Sequence, residues 1–208
     1  MSKQRWLQER RRDFYWRRAK QIGLPSRAAF KLQEIQEKWN VIRPGDYVLD
    51  LGAAPGGFTA LASKLTGPTG LVVAVDVEQL RLTPQDNVVS VAKDVFDQDL
   101  EKTLTKLAGG KHFDTIISDL SPRHTGDYHL LAAQQLELIK RALQMVRVCL
   151  RRGGNFVAKS FEHPDLRDLE KEIGRLFVRT ERFVPKATKK RSSEIFIVGL
   201  GFRGPASS

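Results

Sequence analysis

The nine residues Asp50-Leu51-Gly52-Ala53-Ala54-Pro55-Gly56-Gly57-Phe58 set an acid, three glycines and small neighbours between an apolar run and a stretch of helical pattern. Small residues there let the backbone approach a ligand, and the N-terminus of a following helix aims free N–H groups into the same space. The spacing, Gly52 then Gly56-Gly57 with Pro55 between, is not G-x-G-x-x-G, which argues against a dinucleotide. An acid at position 50 would repel a pyrophosphate and suits a ligand that carries an amino group. Two more acids follow the next apolar runs. Asp76 is placed to accept hydrogen bonds from ribose hydroxyls, and Asp94 is similarly placed at the carboxyl edge of a sheet, where open α/β sheets bind ligands. Together these positions predict a site for a nucleoside without a phosphate, and they disfavour a nicotinamide oxidoreductase.

Charge supplies the second signal. The 208 residues include 35 Lys and Arg against 24 Asp and Glu, a formal net charge of +11. Residues 1–40 hold a net +7, residues 175–191 a net +6, and the remainder is close to neutral at −2. Two concentrated basic segments point to a polyanion, because clustered Lys and Arg release counterions from a phosphate backbone. The run Arg10-Arg11-Arg12-Asp13-Phe14-Tyr15-Trp16-Arg17-Arg18 also interleaves aromatics with its charges. Those rings either stack on unpaired bases or pack on the domain.

Other classes are set aside by composition. A hydrophobic fraction of 41% with 28% charged residues describes a globular chain, and no apolar run approaches the roughly 18 residues that span a bilayer. The N-terminus lacks the apolar stretch of a secretory signal. The single Cys149 excludes an internal disulfide framework and reads as a packed residue, not a nucleophile. His112, His124, His129 and His163 lack metal-ligand spacing. The expectation is a cytoplasmic, metal-free monomer.

The elements that must position these residues alternate. A charged helix or arm over residues 3–20 precedes a helix over 27–39, started by Pro25 and an N-cap at Ser26. Strands are predicted over 47–51, 71–76, 88–91, 113–118, 155–158, 178–184 and 194–200, with helices over 57–65, 100–107, 130–150 and 164–176. Such alternation gives an α/β domain around a mostly parallel sheet. Only Pro185–Ser193 separates the last two strands, too short for a parallel crossover, so the seventh strand is expected to be antiparallel. Residues 1–25 are expected to form a basic arm and residues 204–208 a frayed tail.

With these elements in place, Asp50–Phe58 resembles motif I of the S-adenosylmethionine-dependent methyltransferases, in the D-L-G-A-A-P-G-G-[WF] form of FtsJ-type RNA 2′-O-ribose methyltransferases. The likeness runs from about Ser26 to Arg203. Ser26-Arg27-Ala28-Ala29-Phe30-Lys31-Leu32 is similar to the family's S-R-[AS]-x-[FY]-K-L segment, and Ser118-Asp119-Leu120-Ser121-Pro122 to its S-D-[ML]-[AS]-P motif. Lys159 resembles the fifth-strand lysine, and Glu194 resembles the glutamate of R-x-S-[SR]-E that opens the last strand. The family's Lys-Asp-Lys-Glu set is thus matched in order at Lys31, Asp119, Lys159 and Glu194. Phe58 stands where bacterial ribosomal members have Trp, and Arg123-His124 where they often have Asn-Met.

The resemblance implies a Rossmann-like methyltransferase fold over residues 26–203, with helices on both faces of a seven-stranded sheet. It implies S-adenosyl-L-methionine as cofactor, held by Asp50, Gly52, Pro55, Gly56, Gly57, Phe58, Asp76, Asp94 and Asp119. It also implies RNA as partner: a uridine ribose of large-subunit ribosomal RNA first, tRNA second. A non-catalytic RNA-binding protein of the same fold is the contrasting class. Lys159 would manage the proton of the ribose hydroxyl, either as a neutral base or as a cation beside the developing alkoxide. Asp119 would orient Lys159 and the cofactor's methyl end, and Lys31 and Glu194 would hold the ribose and tune Lys159 by charge.

Overall fold

A computed structural model describes residues 25–122, 126–188 and 192–204. The predicted helix over 3–20, most of the basic arm, Arg123-His124, residues 189–191 and the end of the tail lie outside the described residues. The first described helix, α1 (Ala28–Trp39), leads into β1 (Tyr47–Leu51), α2 (Gly57–Thr66), β2 (Leu71–Asp76) and β3 (Val88–Ala92). Then follow α3 (Leu100–Leu107), β4 (Phe113–Ser118), α4 (Tyr128–Cys149), β5 (Leu150–Phe161), α5 (Leu166–Leu176), β6 (Phe177–Phe183) and β7 (Glu194–Phe202).

The seven strands form one sheet in the order β3-β2-β1-β4-β5-β7-β6. Pairing is parallel from β3 through β5, while β7 runs antiparallel to both β5 and β6. The chain winds outward from β1 to β3, then returns to the other side of β1 to begin β4. That reversal leaves a crevice between the carboxyl ends of β1 and β4, where the two connecting loops diverge.

Strand alternation divides the core. Leu49, Leu51, Val73, Val75, Ile116, Phe156, Ala158, Ile195 and Ile197 belong to the cluster shared with α3, α4 and α5. Val48, Val72, Ile117, Val157, Phe196 and Val198 belong to the cluster shared with α1 and α2. Helices therefore cover both faces. Cys149 is buried in the first cluster, as its apolar helical setting predicts.

Two boundaries depart from expectation. β5 starts at Leu150, directly at the end of α4, because the apolar Leu150 joins the sheet against Phe113 before the Gly153-Gly154 irregularity. The N-cap position of α1 is Arg27 and not Ser26; the Ser26 hydroxyl instead accepts the N–H of Ala28 at 3.3 Å. Ser26 is drawn aside because its Oγ packs on Gly57, where a Cβ would lie 2.1 Å away. The serine thus ties the start of α1 to the glycine turn.

Candidate active site

Asp50, Asp119, Lys159 and Glu194 share one face of the sheet by parity. Asp50 is two residues from Val48, Asp119 two from Ile117, Lys159 two from Val157 and Glu194 two from Phe196, all members of the cluster beneath α1 and α2. Lys31 is a buried residue of α1 and meets them from above.

The glycine turn closes the crevice between β1 and β4. Gly52 has φ +74, and a Cβ there would lie 2.7 Å from the Leu120 nitrogen and 2.8 Å from its Cα. Backbone cannot yield as a flexible side chain can, so glycine is required at this position. The N–H groups of Gly52 and Ala53 both reach the Val75 carbonyl, at 2.9 and 3.2 Å, and Asp119 N–H reaches the Leu51 carbonyl at 3.0 Å. Gly56 is the N-cap of α2 and donates to Ala53. The Pro55 carbonyl accepts the N–H of Arg81, so the loop after β2 covers the turn.

Asp76 steadies this turn from below. Its Oδ2 accepts the Ala54 N–H and its Oδ1 the Glu78 N–H, each at 2.8 Å. Asp94 is exposed and accepts the N–H of Phe96 at 3.0 Å. Phe58 is 2% exposed and packs on Phe196 in the core beneath the turn.

Asp50 is fully buried. One carboxylate oxygen accepts the Thr59 hydroxyl at 2.6 Å, while Oδ1 has no hydrogen-bond partner among the described residues. Burial pushes its pKa up to about 7, and the negative charges of Asp119 and Asp76 push the same way against the Thr59 hydrogen bond. Asp50, Asp76 and Asp119 thus gather negative charge at this edge of the sheet, which a cationic ligand would complement.

The other two charged pairs are separate. Lys159 is 6% exposed; its Nζ donates to the Asp119 carbonyl at 2.8 Å and lies 3.1 Å from the carboxylate Oδ1. That Oδ1 has no hydrogen-bond geometry to any described donor. Lys31 Nζ contacts the two oxygens of Glu194 at 2.6 and 2.8 Å, over the ring of Phe196. Lys31 is thus neutralised by Glu194.

Sequence reading missed the residues that support these pairs. Thr59 is the partner of Asp50; its signal is a hydroxyl in the first turn of the helix that follows the glycine turn. Glu34, one turn after Lys31, accepts the backbone N–H groups of Lys186 and Ala187 at 2.8 and 3.0 Å. Thr188 in turn donates to Glu194 at 3.3 Å. The connection between β6 and β7 is thereby fastened to α1, an arrangement with no local sequence signal. The second basic segment is also partly neutralised, since Arg179 pairs with Glu181 and Arg182 with Glu162 and Glu170.

An acidic crevice beside a buried lysine narrows the ligand chemistry, and comparison with known proteins decides the family. The model of the FtsJ-like methyltransferase family matches residues 24–202. The chain belongs to that family. Ribosomal RNA large subunit methyltransferase E of Methanocaldococcus jannaschii is 36% identical over 205 residues, covering 96% of this chain and 82% of the relative. The protein of the same name from Nitratidesulfovibrio vulgaris is 39% identical, covering 95% of this chain and 96% of its own length. A Plasmodium falciparum structure described as a ribosomal RNA methyltransferase superposes with a TM-score of 0.77 at 21% identity. It covers 87% of this chain and 100% of its own, and confirms the fold.

As a member of the FtsJ-like family, the chain is an S-adenosylmethionine-dependent RNA methyltransferase, and ribose 2′-O specificity follows from that membership. The residues present fit the cofactor. Its ammonium and sulfonium charges complement the carboxylates of Asp50 and Asp119 at the ends of β1 and β4, and the Asp50 Oδ1 has no hydrogen-bond partner among the described residues.

Proposed function

We propose that this chain methylates the ribose 2′-hydroxyl of a nucleotide, a uridine, in large-subunit ribosomal RNA, and that it acts as a cytoplasmic monomer. The observation that carries the chemistry is Lys159, a buried amine at the end of a central strand whose nitrogen meets a carbonyl and a carboxylate. The relatives' names support ribosomal RNA as the substrate. No helix among the described residues is long and apolar enough to cross a membrane.

S-adenosylmethionine supplies a methyl group already activated by sulfonium charge. The protein's own task is to aim the hydroxyl and receive its proton. Lys159 accepts that proton, its Nζ held in place by the Asp119 carbonyl and carboxylate. Asp119 fixes the direction of Nζ and sets its carboxylate beside the cofactor's methyl end. Lys31 and Glu194 present a cation and a carboxylate that hydrogen-bond the ribose. Asp50, Gly52, Pro55, Gly56 and Gly57 form the cofactor's methionine end of the site, Asp76 and Asp94 the nucleoside end, and Phe58 the floor.

Labelled methyl transfer to unmodified ribosomal subunits, free ribosomal RNA and bulk tRNA tests the reading. A 2′-O-methyl blocks alkaline cleavage at its own phosphodiester. Label in alkali-resistant dinucleotides from ribosomal material is the expected result. Label in mononucleotides would mean base methylation, and label confined to tRNA would replace the substrate.

RNA phosphates are held by the basic arm together with Lys186 and the adjoining residues 189–191. Neutralising Arg10, Arg11 and Arg12 together is expected to weaken RNA binding and to reduce its salt slope by up to about 0.9 for each phosphate left without its cation, with cofactor affinity intact. An unchanged slope removes the arm from the binding surface.

A further inference from the structure

Gln135 lies on α4, in the layer opposite the charged residues. The other buried residues of that helix include Ala132, Ile139, Ala142, Leu143 and Val146. A carboxamide brings two N–H donors and an acceptor into this apolar stripe, where each needs a partner. Gln135 is 1% exposed. Its Nε2 donates to the Lys159 carbonyl at 2.8 Å and to the Leu120 carbonyl at 3.2 Å. Because both partners only accept, the amide must present its nitrogen to them. Its Oε1 has no hydrogen-bond partner among the described residues.

We infer that Gln135 is a positioning residue for methyl transfer, holding the carboxyl ends of β4 and β5 at the separation that places Asp119 against Lys159. The inference rests on the reading of Lys159 and Asp119 as the reacting centre. β4 and β5 pair in register as far as Ser118↔Ala158, where β4 ends while β5 runs on to Phe161 against β7. Lys159 and Leu120 are the peptide units at which the ladder has ended, and the amide bridges them where backbone pairing no longer does. Lys159 Nζ reaches the Asp119 carbonyl from the other face of the sheet. The two consecutive carbonyls of Asp119 and Leu120 are thus held from opposite sides, and the lysine's backbone and side chain are each tied to this loop. An apolar side chain of the same shape would spare the orphaned Oε1 but take the donor from the Lys159 and Leu120 carbonyls.

Gln135→Met removes the donors and keeps the volume. It is expected to fold with a modestly lower Tm, since two carbonyls lose a donor, and to bind cofactor and RNA within about twofold of wild type. Its kcat should fall by about 10- to 100-fold, the scale on which small misplacements of reacting groups cost rate. Gln135→Glu adds a readout that packing would not move. Ionised, it faces two carbonyls with oxygens only; protonated, it regains one donor. The ratio of its kcat to wild type, taken at each pH so that the reaction's own pH dependence cancels, is expected to rise toward acid.

Gln135→Met activity within twofold of wild type overturns the proposal. So does a loss that tracks a lower Tm and weaker cofactor binding, or a flat Gln135→Glu ratio. Lys159→Ala is measured alongside. If it stays active, the reading of the reacting centre fails and takes this inference with it; if it is inactive while Gln135→Met is active, only the positioning role fails.

Discussion

Lys159→Arg is expected to lose as much methyl transfer as Lys159→Ala, about 10²- to 10⁴-fold in kcat, the usual contribution of a positioned acid or base. Arginine keeps the positive charge but cannot be deprotonated in a protein, so it cannot take the hydroxyl's proton. If the role of Lys159 were only to stabilise a developing alkoxide by charge, arginine would retain much of the rate. The comparison is informative because the amine is buried and held. Lys159 is 6% exposed and its nitrogen is fixed on two oxygens of one residue. Thermal melts and cofactor binding of both variants separate the chemical effect from the cost of burying a larger head group. A Lys159→Arg enzyme within tenfold of wild type would show that charge suffices and that the proton leaves by another route.

The second large effect concerns pH and the cofactor. With its pKa raised to about 7, Asp50 is substantially protonated in the cofactor-free protein at neutral pH. A cationic ammonium beside it favours the carboxylate, so binding should release a proton between about pH 5 and 7 and weaken by up to about tenfold per pH unit below 7. Isothermal titration in buffers of different ionisation enthalpy reads the proton directly. Asp50→Asn supplies the control, since the ligand's own titration is common to both proteins; its affinity should be lower at pH 8 and lack this acid limb. Identical pH profiles for the two proteins would remove Asp50 from contact with the ligand's charge.

The same group sets a stability sign. Its pKa is higher folded than in the unfolded chain, so the stabilising contribution of the protonated carboxyl is full below 3.8 and is lost as pH rises through about 7. At 1.36 kcal/mol per pH unit this amounts to about 4 kcal/mol. Cofactor-free Asp50→Asn is therefore expected to melt higher than wild type at pH 8 and no higher at pH 4. A site that binds a cation carries an anion at the cost of stability when the cation is absent.

Much of this site was legible in the residues. Asp50 and Gly52 stand out because an acid and a positive-φ glycine leave few structural alternatives after an apolar strand. The antiparallel seventh strand follows from the length of one connection. Lys159 was visible because a lysine closing an apolar strand has to find partners. The role of Asp76 was read less completely: both its oxygens hold backbone N–H groups of the turn, a contact that spans 22 residues to Ala54. Glu34 gives no signal in the sequence, since its partners are backbone groups more than 150 positions away.

Which way the functional side chains face follows from the order of residues in each strand. A strand alternates with a period of two, so burying Val48, Ile117, Val157 and Phe196 under α1 and α2 also sends Asp50, Asp119, Lys159 and Glu194 to that side. Which of these charges meet depends on the assembled sheet. Strand order sets β4 beside β5, which brings Asp119 to Lys159, and the packing of α1 over β7 brings Lys31 to Glu194. The assembled fold also sets what holds them in place, because Gln135, Thr188 and Glu34 act through contacts that no local spacing encodes. Alternation is a property of each strand's own backbone, whereas ion pairs a few ångströms long depend on how strands and loops distant in sequence come to rest against each other.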